Sequence, residues 1–346
     1  MLYKSTRSNK ETYTAQHALC SSRTEDGGLF VPVCIPQYSD GEILQLLHLS
    51  ETEAIAKILN QLFATTISSR DIEFLVGREI LRMGEFHYRI HVAELWRNPD
   101  GDFARTVRIL AGHLCADKQT AGVSLWGEIA VNIALIFAVF TRLSYKTEAD
   151  LERKQDIVVP AEAFVTPMAA WYARKMGLPI GTIICCCNEN GNVWDLIQRG
   201  QMKLDGALLP TNTPKCDVIV PEAFELLLYE IQGEDAAKEF ALAVDAGGSY
   251  TINATAYPLL KRGMYASVVG QKRLLDIIPN VYSATGYVLC PYSALTYSGL
   301  MDYRAMSGEN SPALMISKWS PLHCKDTVAK AMGISTAELR QRIKEM

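Results

Sequence analysis

From about residue 155 the chain alternates two kinds of segment, and this alternation limits what it can fold into. "DIVVPA" (156–161), "GTIICCCNEN" (181–190) and "PALMISKW" (312–319) are apolar runs of strand length. Between and after them lie segments with apolar residues at helical spacing: "MAAWYARKMG" (168–177), "VWDLIQRG" (193–200), "VPEAFELLLYEIQG" (220–233) and "CKDTVAKAMG" (324–333). Each closes on a glycine, and Pro179 follows the first of these stops, as expected past a helix end. Strand followed by helix, repeated, predicts an α/β fold with a parallel or mixed sheet flanked by helices.

The first 90 residues read differently. "YTAQHALCSSRTEDGGLFVPVCIP" (13–36) predicts a short helix, a turn at Gly27-Gly28 and a strand closed by Pro32. "TEAIAKILNQLFAT" (52–65) and "SRDIEFLVGREILRM" (69–83) have helical spacing, and "FHYRIHVAELW" (86–96) alternates like one strand. Residues 1–90 are therefore expected to form a helical lobe with some β structure, and 91–346 the α/β core.

Half of the 346 residues are apolar (49%) and the net charge is -4, enough for a large core and without the basic face that nucleic-acid binding needs. The longest apolar run, "IAVNIALIFAVF" (129–140), is shorter than the roughly 20 residues of a membrane span and predicts a buried helix. The polar start "MLYKSTRSNKETYTAQ" lacks the apolar stretch of a signal peptide, so a cytoplasmic protein is expected. Nine cysteines occur without a CxxC pair, which removes the commonest zinc signal and predicts reduced, buried thiols. Cys185, Cys186 and Cys187 are consecutive, so on a strand they point to opposite faces. His87 and His91 are four apart with Glu94 beyond, but on a strand that spacing spans about 13 Å, too far for one metal ion.

Several stretches resemble, in order, the threonine synthase family: "YKSTRS" (3–8) with "DGGLFVP" (26–32), "ARKMGLPIGTIICCCNENG" (173–191), "DVIVPEAFELLLYEIQGED" (217–235) and "TGYVLCPYSAL" (285–295). The resemblance implies the type II fold of pyridoxal-phosphate (PLP) enzymes, the tryptophan-synthase-β-like fold. It also implies the conversion of phosphohomoserine to threonine.

Several positions that the resemblance assigns to chemistry carry other residues. In "VAELWRNPDGDFARTV" (92–107), Glu94, Leu95, Pro99 and Phe103 fit the family loop, yet Ala104 stands at the lysine that binds PLP, and Arg105 at the acid that follows it. A methyl group cannot form a Schiff base, and the Arg105 guanidinium stays protonated. Lys118 is the nearest lysine downstream. The phosphate loop reads Pro160, Ala161, Glu162, Ala163, Phe164, Val165, with Glu162 and Val165 replacing its two glycines. A carboxylate about 4 Å from a phosphate oxygen costs on the order of 4 kcal/mol per charge pair at an effective dielectric near 20. The partner of the pyridine nitrogen falls on Ser317 or Lys318, and a family acid-histidine motif has become Cys290-Pro291-Tyr292-Ser293. A mobile subdomain of the family is expected to be deleted near 106–122, exposing surface that a neighbour would cover.

Three readings remain open. One is a threonine-synthase-like pseudoenzyme without PLP, a binding or regulatory partner in a homo-oligomer or in a complex with an active paralogue. The second is a true enzyme, either PLP-dependent through an unrecognised lysine or catalysing another reaction in the old crevice. The third is a small-molecule sensor in a remnant crevice at Asn188, Glu189, Asn190, Ser317 and Lys318, near Trp171 and Tyr172, because open α/β sheets bind ligands at strand carboxyl ends.

Overall fold

The computed structural model describes residues 1–86, 89–97, 103–115 and 123–346. The amino-terminal part holds strands β1 (Leu2–Ser5) and β2 (Tyr13–Thr14), helix α1 (Ala15–Cys20), β3 (Phe30–Pro32), and helices α2 (Asp40–Leu47), α3 (Glu51–Phe63) and α4 (Ser69–Val76). Next come β4 (Arg82–Phe86), β5 (Ile90–Glu94), α5 (Phe103–Leu114), α6 (Leu125–Thr141), β6 (Gln155–Pro160), α7 (Val165–Lys175), β7 (Ile180–Cys187) and α8 (Asn192–Arg199). β8 (Gln201–Lys203), α9 (Phe224–Gln232), α10 (Glu234–Ala246), β9 (Ser249–Thr251), α11 (Tyr257–Lys261) and β10 (Met264–Val268) follow. The chain ends with α12 (Gln271–Thr285), α13 (Pro291–Ser307), β11 (Ala313–Ser317), α14 (Lys325–Met332) and α15 (Thr336–Glu345).

The fold is α/β, as the alternation predicts. Its central sheet runs β10-β7-β6-β11-β5-β4, parallel throughout except for the antiparallel edge strand β4. Both faces are covered, so the central strands β6, β7 and β11 are mostly apolar and buried, while the edge strand β4 is half exposed. Ile157, Val159, Ile183, Cys185, Cys187, Leu314 and Ile316 join one core cluster, with α6 and α7. Val158, Ile184, Cys186 and Met315 join the other, with α12 and α13. The three consecutive cysteines thus divide between faces as the strand repeat requires.

Local chemistry explains the helix boundaries. Ser50 caps α3 and Glu53 returns the contact, and Ile55, Ile58, Leu59 and Leu62 form the apolar stripe that packs on α6. The apolar run 129–140 lies inside α6, buried all round; its one amide, Asn132, donates to the Glu128 carbonyl at 2.8 Å. Among the described residues no helix is long and apolar enough to cross a membrane. On α13, Gly299 lets the helix settle directly on Cys186, where a side chain would not fit.

Three expectations need correction. The helical pattern of 69–83 stops early: Gly77, at φ 89°, ends α4, and Arg82 onward is strand β4. The alternation over 86–96 is not one strand, since it bridges the end of β4 and all of β5, which pair antiparallel. Finally, the cysteines are not all reduced. Cys20, the last residue of α1, is bonded to Cys115, just past α5, across 95 residues of sequence. Both helices pack on α6, which brings their ends together. The remaining described thiols are free; Cys34 is exposed and Cys324 half-buried, so burial is not general.

Candidate functional site

β6 and β11 are neighbours, and the residues leaving their carboxyl ends meet. Pro160 ends β6 and the chain turns through Glu162 and Phe164 into α7. Glu162 has φ 30° and Phe164 φ 68°, both in the left-handed region that glycine enters freely. The first glycine position of the resemblance therefore keeps a glycine-like backbone while bearing a carboxylate, which costs about 1–2 kcal/mol. Val165 has ordinary helical backbone as the first residue of α7, and its buried side chain fills the second glycine position.

Lys318 follows β11 and is 5% exposed, a rare state for a lysine. Its ammonium donates to Thr166 Oγ1 at 2.7 Å and to Glu162 Oε2 at 2.9 Å. It also lies 4.9 Å from the centre of the Phe103 ring and 5.3 Å from that of Trp319. These contacts compensate the charge taken out of water. Burial pushes the Glu162 carboxyl upward, and Lys318 pulls it back. Glu162 Oε1 has no partner among the described residues. The Cys216 thiol beside Glu162 is pushed well up by burial, so it is not a poised nucleophile. Trp319 stacks on Tyr292 with ring centres 3.9 Å apart, and the Tyr292 hydroxyl accepts from Lys215 N at 3.2 Å.

The other predicted positions are occupied by the chain itself. Ser317 Oγ and Ser293 Oγ are 3.0 Å apart, and Ser293 Oγ is 3.2 Å from Cys290 Sγ. Asn188, 1% exposed, uses its amide on Thr213 Oγ1 and Asp217 Oδ1, at 3.0 and 2.7 Å. Asn190 donates to Asp217 Oδ1 and the Leu209 carbonyl, and Glu189 accepts from Gln271 N at 3.0 Å. The segment 209–217 is thus fastened over the end of β7. Tyr172 turns elsewhere, its hydroxyl donating to Glu230 at 2.9 Å, and Trp171 lies under Arg174. Ala104 is exposed on the first turn of α5, one residue after the Phe103 ring that Lys318 covers. Lys118, His87, Asn98, Pro99, Asp100, Gly101 and Asp102 lie outside the described residues, as does most of 106–122 beyond α5.

Sequence reasoning brought Glu162 and Lys318 forward separately and missed that they pair. It also missed Thr166, Phe103, Tyr292, Trp319 and Cys216 as their surroundings. The available signal was the Lys318-Trp319 dipeptide, a cation beside an aromatic at a strand end.

The sheet and its covering helices have the type II fold of the PLP-bound threonine synthase from Brucella melitensis. In sequence, too, the chain is similar to threonine synthases. Residues 2–79 match the family described as threonine synthase N terminus. A threonine synthase of Methylobacillus glycogenes is 25% identical over 215 residues, covering 60% of this chain and 44% of that protein. Human threonine synthase-like 1 is 23% identical over 199 residues, covering 57% of this chain and 26% of its own length. The chain thus spans less than half the length of these two relatives. PLP-bound threonine synthase from Brucella melitensis has the same fold, with a TM-score of 0.82 at 20% identity, covering 96% of this chain and 92% of that one.

PLP does not fit the residues present at the site. At the position that the resemblance gives to the PLP lysine stands Ala104, the loop that it gives to the phosphate bears the Glu162 carboxyl, and the buried Lys318 is already committed to that acid and to Thr166.

Proposed function

We propose that this chain keeps the threonine synthase fold without its cofactor chemistry and acts as a binding or regulatory partner. The observation that carries this reading is the contact of Lys318 with Glu162 and Thr166. It neutralises, from within the chain, charges at the loop where the resemblance places the cofactor phosphate. Ala104 supports the reading from the other side, since no amine stands at the family's lysine position. A second copy of this chain, or an active paralogue, is the kind of partner that would cover the surface exposed if, as the resemblance implies, a subdomain is deleted near 106–122.

Absorbance of the purified chain with added PLP, then borohydride reduction and peptide mapping, tests this. The expected result is no Schiff-base band and no adduct confined to one lysine. A single mapped adduct, at Lys318, Lys118 or elsewhere, overturns the proposal and names the catalytic amine. Sedimentation of the chain alone and mixed with an active threonine synthase tests the partner reading. Sedimentation as an unchanged monomer in both would remove these two partners.

A further inference from the structure

The parallel strands have a second end. Arg89 precedes β5, Gln155 opens β6 and Pro312 precedes β11, so these residues mark the amino ends of three neighbouring parallel strands; the carboxyl ends of β6 and β11 lead to Glu162 and Lys318. A cleft of about 460 Å³ opens there, lined among others by Glu85, Arg89, His91, Arg142, Arg153 and Gln155. It is a different place from the crevice of the resemblance.

Its charge is one-sided. Three guanidiniums and an imidazole line it against one carboxylate, Glu85. Arg142 has an outside partner in Glu51, 3.5 Å away, and Arg153 donates to the Ser144 carbonyl at 2.9 Å. Arg89 and His91 make no side-chain hydrogen bond or ion pair among the described residues. The backbone of Arg89 is fixed, because its carbonyl accepts from Ala313 N at 3.0 Å. Arg89 is thus placed at the amino end of β5, its guanidinium exposed and without an ion-pair partner among the described residues.

The second observation is independent of charge. Gln155 is 4% exposed and lines the same cleft, and its Oε1 is buried without a hydrogen-bond partner. A buried carbonyl left unpaired costs about 1–3 kcal/mol, which a donor from a ligand would recover. Guanidiniums suit a phosphate, whose several oxygens accept their forked N–H groups. A buried acceptor without a partner beside them suits a hydroxyl.

We propose that this cleft binds a small organic phosphate carrying a hydroxyl group, its phosphate on Arg89 and Arg153 and its hydroxyl donating to Gln155 Oε1. The inference is independent of the cofactor question, since none of these residues lies at the Glu162–Lys318 site.

The test is calorimetric titration of the full chain, at constant ionic strength, with glycerol 3-phosphate, inorganic phosphate and glycerol. Glycerol 3-phosphate is expected to bind one site per chain, at least about tenfold tighter than inorganic phosphate, with no heat from glycerol. R89A/R153A changes two exposed side chains and is expected to weaken binding tenfold or more with an unchanged circular dichroism spectrum. R340A, elsewhere on the surface, is expected to leave it unaltered. Q155E is expected to abolish binding by placing a carboxylate at the floor. Absence of saturable binding by both phosphates, or undiminished affinity in R89A/R153A, overturns the site. Equal affinity for the two phosphates overturns the role given to Gln155.

Discussion

Glu162 and Lys318 are 156 residues apart in the chain and 2.9 Å apart in space. Their side chains are 13% and 4% exposed, so each is the other's ion-pair partner in a place with little water. Removing one partner should cost more than removing both. Glu162→Gln or Lys318→Met alone is expected to lose about 3 kcal/mol in urea unfolding, and the double substitution much less. Additive losses across the cycle would show that the pair contributes no coupling.

The seat of α13 on the sheet gives a steric prediction. A methyl group on Gly299 would run into the Cys186 side chain, buried on the interior strand β7. Gly299→Ala is expected to destabilise by about 1–3 kcal/mol. Adding Cys186→Ala should return part of the loss, and thermal unfolding of the three variants reads it. An unaltered melting temperature for Gly299→Ala would mean that α13 can lift off the sheet without cost.

Thiol chemistry separates the cysteines. In the native protein Cys34 is expected to alkylate first, because it is exposed. Cys324 should follow slowly, its thiol pushed up to about 11 by burial. Cys185, Cys186 and Cys187 should react only after unfolding, since burial raises all three further. Mass spectrometry without reductant should find Cys20 and Cys115 unlabelled and joined; reduction is expected to lower stability by up to about 4.7 kcal/mol, the loop-closure estimate for a span of 95 residues.

A pH prediction comes from the cap of α3. Ser50 holds the Glu53 carboxyl below its usual range, through the backbone N–H at 2.9 Å and the hydroxyl at 2.7 Å. A carboxyl with a lowered folded-state pKa stabilises above its unfolded value and loses that contribution as pH falls through the folded one. Ser50→Ala is therefore expected to lower the melting temperature more at neutral pH than at about pH 3. An equal loss at both would assign the cap to the hydroxyl's contact with the Glu53 N–H alone.

Much of the architecture was legible because its signals are local. Gly177, Gly200 and Gly233 end helices wherever those helices pack, and strand alternation sends Cys186 to the opposite face from its neighbours regardless of what covers it. The antiparallel pairing of β4 with β5 was hidden because the alternation in sequence continues from one strand to the other. The Cys20–Cys115 bond and the Glu162–Lys318 pair were invisible for another reason: their partners are distant in sequence, and no spacing rule connects them. At the site, Glu162 was readable as an obstacle to phosphate. That Lys318 answers its charge required the register of β6 beside β11. Asn188 and Asn190 were read as an open crevice, although an amide at a strand end serves equally well to fasten a loop.

The Glu162–Lys318 pair has a consequence for supply. A site whose charges are balanced by a soluble ligand is only as well occupied as the concentration of that ligand allows. Here the counter-charge is delivered by the chain, at an effective concentration fixed by the fold. This part of the protein should therefore be equally stable in a cell rich in cofactor and in one starved of it.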